Sequence, residues 1–312
     1  MRVALVTHHR LPARGYGGTQ RVVVWLARGL RALGHDVRIV AGRGTRLGDL
    51  PVETVARWRF RRLYEDPDHD ASAWLPRDVD VFHFVRAVAA RVPAPYLFTI
   101  HGNGEPGADA PNAVFVSEDH RRRHGGRWYV HNGVDPAEYR LGLAKGPAYL
   151  FLGKPGRRVK GVDVAERVAR RAGVPLVVAG GWRLRWGRRI RWVGPVDGAR
   201  KAALLAESRA LLFPIRWDEP FGLAVVEAWM SGTPVLAAPR GSMPELFDAA
   251  PVGRLCADED AFVDAVRAIE SGAARYDPRA CRSYAESRFG HLRMARDYVA
   301  LYARAVAEGW GR

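Results

Sequence analysis

The sequence predicts an α/β protein made of two doubly wound domains. Three observations carry this. Short β-rich apolar runs alternate with amphipathic helical stretches, as in parallel sheets flanked by helices. The alternation stops at the turn-rich stretch HNGVDPAEYRLGLAKGPA, His131 to Ala148, and then restarts. In each half, a glycine-rich loop follows the first strand and opens the first helix.

In order, the first half offers strands at Val3–Thr7, Asp36–Ala41, Val52–Phe60, Val79–Phe84, Tyr96–His101, Ala113–Val116 and Trp128–His131. Its clearest helix runs from Thr19 to Leu33, where Val22, Val23, Leu26, Leu30 and Leu33 share one face. The second half offers strands at Tyr149–Leu152, Leu176–Ala179, Ile190–Val193, Ala210–Phe213, Pro234–Ala237 and Val252–Leu255. Helices at Lys160–Ala172 and Leu223–Ser231 separate some of them. From Asp258 onward the pattern is helical, broken near Asp277–Pro278 and Gly290. The domains are therefore placed at 1–143 and 144–290.

Composition narrows the class. Of 312 residues 48% are hydrophobic, enough for real cores. No apolar run reaches the roughly 18 to 20 residues of a membrane span. MRVALVTHH reads as a buried strand and not as a signal peptide. The two cysteines, Cys256 and Cys281, do not suggest a disulfide scaffold. A cytoplasmic protein is expected, peripheral at most to the inner membrane face. The net charge of +16, nearly all arginine, favours anionic partners. The scarcity of asparagine and glutamine hints at a thermophile, although the scarcity of lysine fits less well.

Three stretches carry chemistry. RGYGGTQ, Arg14 to Gln20, places Gly15, Gly17 and Gly18 before a helix whose N–H groups and positive end can face a phosphate or sugar. It is not a dinucleotide fingerprint: the glycine spacing is wrong, and no acid ends the second strand. FLGKPGRRVKG, Phe151 to Gly161, places Lys154 and Lys160, two of only four lysines, around another such loop. A flexible ammonium there can reach a diphosphate. The third is DEPFGLAVVE. Glu219 lies in the loop before a helix, and Glu227 lies about one turn inside it. A helix N-terminus between two acids suits a ligand with a diphosphate between hydroxyl-bearing groups, as in a nucleoside diphosphate sugar.

GYGGTQRVVVWLARGLRALGHDV, the TIHG of Thr99–Gly102, FLGKPGRRVKG, EPFGLAVVEAWMSGTPVLA with its E-x7-E, and RGSMPEL together resemble the retaining glycosyltransferases of family 4, and more narrowly a branch that includes enzymes decorating antibiotics. The resemblance implies the GT-B fold: two Rossmann-like domains facing across a cleft, the first holding the acceptor and the second the donor, with the last helix (about 291–312) packing back on the first. It implies transfer from a nucleotide sugar, UDP- or GDP-linked, with retention by front-face attack and no metal or other cofactor. Glu227 then resembles the acid on the ribose hydroxyls, and Glu219 the acid at the donor sugar. Lys154 and Lys160 match the basic pair on the diphosphate, with Lys154 where arginine is common. Phe221, Gly222 and Leu223 would offer backbone N–H groups, Gly17 and Gly18 would close over the phosphate, His101 would stand near the reacting sugar, and the base would rest near Gly194–Val196. The acceptor is expected to be a small molecule, a glycan or a lipid-linked group.

Other features are read as structural. The D-x-D of Asp78–Asp80 sits at a strand start, and His8, His9, His83 and His131 lack zinc spacing. WRLRWGRRIRW, Trp182 to Trp192, and ARWRFRRL, Ala56 to Leu63, read as half-buried strands with arginines towards water. The same interleaving could bind single-stranded nucleic acid or anionic lipid. Two alternatives stand beside the transferase: a basic nucleic-acid-binding protein, which leaves Glu219 and Glu227 unexplained, and a GT-B epimerase or phosphorylase acting on sugars.

Overall fold

The structure is a computed structural model that describes residues 1–13, 15, 17–182 and 189–311. Residues 183–188, the middle of the Trp182–Trp192 segment, lie outside the described set. The chain divides into two compact units: residues 1–133 with 291–312, and residues 134–290.

The first unit opens with β1 (Arg2–Thr7), α1 (Gly18–Ala32), β2 (Asp36–Gly42), β3 (Val52–Val55) and α2 (Arg57–Glu65). It continues with β4 (Val81–Phe84), β5 (Tyr96–Ile100), β6 (Ala113–Phe115), α3 (Glu118–Arg123) and β7 (Trp128–Tyr129). Its seven strands are ordered β3-β2-β1-β4-β5-β6-β7 and pair in parallel. The chain reverses its direction of travel across the sheet between β1 and β4, a topological switch point of the kind where such folds bind ligands.

The second unit runs β8 (Tyr149–Leu152), α4 (Val162–Ala172), β9 (Leu176–Ala179), β10 (Ile190–Trp192), α5 (Gly198–Glu207), β11 (Leu211–Phe213) and α6 (Leu223–Met230). Then come β12 (Val235–Ala237), α7 (Met243–Phe247), β13 (Gly253–Leu255), α8 (Glu259–Glu270) and α9 (Pro278–Phe289). Its strand order is β10-β9-β8-β11-β12-β13, again parallel. The switch lies between β8 and β11, so the loops after these strands, which carry Lys154, Lys160 and Glu219, share one crevice region. Finally α10 (His291–Glu308) belongs to the first unit, where it packs on α1. Gly29 permits this contact, since a Cβ there would lie 2.7 Å from the His291 carbonyl oxygen.

Two sequence readings need correction. The strand expected over Val52–Phe60 ends at Val55, and ARWRFRRL is mostly helix α2. Its buried residues are Phe60, Leu63 and Tyr64, at helical spacing. The arginine–aromatic alternation imitated a period of two. The division between units falls at Gly133/Val134, about ten residues before the expected 143/144. Tyr139 and Gly142 explain the difference: the Tyr139 hydroxyl bonds Glu227, and the Gly142 N–H bonds the Ser231 carbonyl.

The D-x-D carboxylates are engaged with arginines. Asp80 takes the Arg2 guanidinium at 2.7 Å, and Asp78 takes Arg38 at 3.1 Å. Among the described residues no group of three or more His, Cys, Asp or Glu is placed to hold a metal ion, and no helix is long and apolar enough to cross a membrane. Both cysteines are free and buried, and burial pushes each thiol up to about 12.

Candidate active site

In the second unit the site is built around the start of α6. Gly222 caps that helix at φ +91°, a conformation that L side chains rarely adopt, and a Cβ there would meet the Met243 methyl at 2.6 Å. The turn swings Phe221 inward and aims the first N–H groups of α6, with the positive helix end, towards the loop before it. That loop is clamped from behind. The Ser242 N–H donates to the Glu219 carbonyl at 3.0 Å and its hydroxyl to the Phe221 carbonyl at 2.8 Å. Gly241, at φ +59°, lies so close that a Cβ would meet the Glu219 backbone at 2.4 Å.

Glu219 and Lys160 come together here. Lys160 Nζ donates to Glu219 Oε2 at 2.6 Å, and both side chains are mostly buried. Trp217 Nε1–H donates to the same oxygen at 2.8 Å, and its ring lies 4.5 Å beneath the ammonium. An acid and a cation expected at different groups of a ligand thus pair with one another. Lys154 stands on the exposed loop after β8, where its carbonyl accepts the Arg157 N–H.

Glu227, only 2% exposed, points elsewhere. Its Oε1 accepts from the Tyr139 hydroxyl at 2.8 Å and from Lys201 Nζ at 2.9 Å. The sequence reading did not single out Lys201 or Tyr139. The available signal was that Lys201 is one of only four lysines in the chain.

Gly194, expected near the base, follows β10 at φ +73° and is covered by the Trp182 indole, which a Cβ would meet at 2.3 Å. Its carbonyl accepts the Gly180 N–H at 2.8 Å. Val196 is half-buried in the loop between β10 and α5.

The remaining expected residues lie in the first unit. Gly17 is the N-cap of α1 and Gly18 its first residue. His101 directly follows β5, and its backbone N–H donates to Glu105 at 3.3 Å. Burial, then the nearby His9, push the His101 imidazole down to about 4, so at neutral pH it is an uncharged hydrogen-bonding group. Burial raises Glu105, against the pull of the His101 and Gly102 backbone N–H groups. Behind His101, His83 Nδ1 bonds the Tyr302 hydroxyl at 2.7 Å, His83 Nε2 bonds Thr99 at 2.7 Å, and Thr99 bonds the Tyr298 hydroxyl at 2.7 Å. This buried network ties α10 to β4 and β5.

Two parallel six- and seven-stranded sheets of Rossmann-like type define the class: the GT-B fold. Within it, residues 146–271 match the family described as "Glycosyl transferases group 1", a transferase domain. Among solved structures, AviGT4, a glycosyltransferase involved in avilamycin A biosynthesis, superposes with a TM-score of 0.78 at 28% identity, covering 98% of each chain. HepE of Anabaena, solved in complex with UDP, has a TM-score of 0.70 at 15% identity over 97% of this chain and 100% of that one, a likeness of fold alone. It has also been solved with UDP-glucose. The glycogen synthase of Mycobacterium tuberculosis is 29% identical over 199 residues, 56% of this chain and 48% of that protein. The chain spans 32% to 48% of the length of the first curated relatives it matches.

Proposed function

We propose that this chain is a family 4 retaining glycosyltransferase, moving a sugar from a UDP- or GDP-linked donor to an acceptor by a metal-independent front-face mechanism. The observation that carries the reading is the Lys160–Glu219 pair beside the N-terminus of α6. A donor diphosphate there draws the Lys160 ammonium from Glu219, with the helix end and Lys154 meeting the remaining charge. The freed Glu219 carboxylate then accepts bonds from the donor sugar's hydroxyls. Glu227 serves the ribose hydroxyls, with Lys201 and Tyr139 fixing its rotamer. The neutral His101 bonds the reacting sugar. The leaving diphosphate helps take the acceptor's proton, so the protein contributes position and charge stabilisation. The protein acts in the cytoplasm, with weak contact at an anionic membrane face, on a small-molecule, glycan or lipid-linked acceptor.

Thermal shifts with UDP, GDP and ADP test the reading. One nucleoside diphosphate at a hundred times its dissociation constant is expected to add about 2.7 kcal/mol of stability, and Lys160→Met to remove most of that gain. No response to any of the three, beside a salt-sensitive response to a single-stranded oligonucleotide, would reject it.

A further inference from the structure

At the carboxyl ends of β1 and β2 the first unit opens a groove of about 1180 Å³, with α2 forming one wall. Arg10, Arg43, Arg57 and Arg61 converge on it. Among the described lining residues the one carboxylate, Glu65, is taken by Arg61 at 3.1 Å. Arg10 bonds the Gly44 carbonyl at 2.7 Å. Arg43 and Arg57 are exposed, and among the described residues neither has an ion-pair partner. The cationic field reaches the neighbouring imidazole: His8 is pushed down to about 4 by burial first, then by His9, Arg86 and Arg57. Beside these arginines Trp58 is 57% exposed, with the Arg59 guanidinium 5.3 Å from its ring. An indole left open to water next to unbalanced guanidinium groups makes a two-part surface. The forks suit phosphate oxygens, and the ring suits the apolar face of a sugar. ARWRFRRL thus has a role as helix α2 that a half-buried strand would not give it.

We infer that this groove binds the acceptor and that the acceptor is a phosphorylated saccharide, its phosphate on Arg43 and Arg57 and its ring against Trp58. This rests on the glycosyltransferase reading and adds the substrate class. The phosphate is the shared chemistry of a free sugar phosphate and of a saccharide carried on a lipid phosphate.

The test is calorimetric titration of the full chain with glucose 6-phosphate, glucose and inorganic phosphate, with UDP titrated separately. Glucose 6-phosphate is expected to bind at least tenfold more tightly than either fragment. Arg43→Ser and Arg57→Ser should each weaken it about tenfold or more, and Trp58→Ala should bring it down to the affinity of inorganic phosphate. All three side chains are exposed, and an unchanged circular dichroism spectrum and UDP response in each variant separates lost binding from lost folding. Glucose 6-phosphate binding no tighter than phosphate would overturn the inference. So would binding to phosphatidylglycerol vesicles, equally lost in the arginine variants, without any response to glucose 6-phosphate. A UDP response with no sugar-phosphate response overturns the acceptor assignment alone. A sugar-phosphate response with no nucleoside diphosphate response removes the transferase reading and, with it, the name acceptor. Titration with a short polyprenyl diphosphate saccharide in detergent separates the two sources: tighter binding than glucose 6-phosphate, lost in Arg57→Ser, marks the lipid-linked form and supports the inference.

Discussion

Lys201 Nζ, on α5, lies 2.9 Å from Glu227 Oε1, on α6, and both residues are buried. Removing one member leaves an uncompensated charge in the interior. Glu227→Gln and Lys201→Met are each expected to cost about 3–5 kcal/mol of stability. The double variant Lys201→Met with Glu227→Gln should recover part of the loss. Urea unfolding of the three proteins checks this, and an additive double variant would show that the two do not act as a pair. Nucleotide affinity should fall in Glu227→Gln even where stability is recovered.

The Lys160–Glu219 bond makes the two side chains opposite in effect. Lys160→Met should weaken UDP binding about tenfold or more while barely changing uridine binding. Glu219→Gln should leave UDP binding unchanged or tighter, because Lys160 is released, and should lower turnover by roughly a hundredfold, within the range of a lost transition-state hydrogen bond. Equal losses of uridine and UDP binding in Lys160→Met would remove its diphosphate contact.

Gly241 is a backbone requirement of the site. Its positive φ and the 2.4 Å approach to Glu219 leave no space for a methyl group. Gly241→Ala is expected to destabilise by about 1–3 kcal/mol and to raise KM for the donor, since the loop holding Glu219 must shift. Thermal unfolding and donor kinetics together check this. A stable variant with unchanged KM would mean that the loop adjusts freely.

Stability should fall in mild acid. Burial holds His83 neutral down to about 3 against an ordinary 6.5, with His101 about 4 and His120 about 3 for the same leading reason. The unfolded chain therefore binds more protons than the folded one between about 6.5 and these values. The contribution is present above 6.5 and is lost as pH falls through that window, by at most about 1.4 kcal/mol per unit for each histidine. Chemical unfolding at pH 7.5, 6 and 5 reads this slope, and a flat profile would show that the imidazoles take up protons in the native state.

What the sequence alone determined is the part governed by local pattern. Apolar runs of strand length between helical faces specify two parallel sheets, because a buried parallel strand must be apolar on both sides. Gly222 and the acids around it are legible because the helix start is written in consecutive residues. The pattern failed at ARWRFRRL, where alternating arginines looked like a strand while Phe60, Leu63 and Tyr64 were the residues the core accepted. Only the tertiary structure decided which charges meet. Lys160 finds Glu219 across 59 positions and Lys201 finds Glu227 across 26. Among the described residues Arg43 and Arg57 have no ion-pair partner, because the end of β2 and α2 bring them to one groove where Glu65 is already engaged by Arg61. Long-range pairing depends on how strands order within a sheet, and hydrophobic periodicity carries the identity of each strand but not its neighbours.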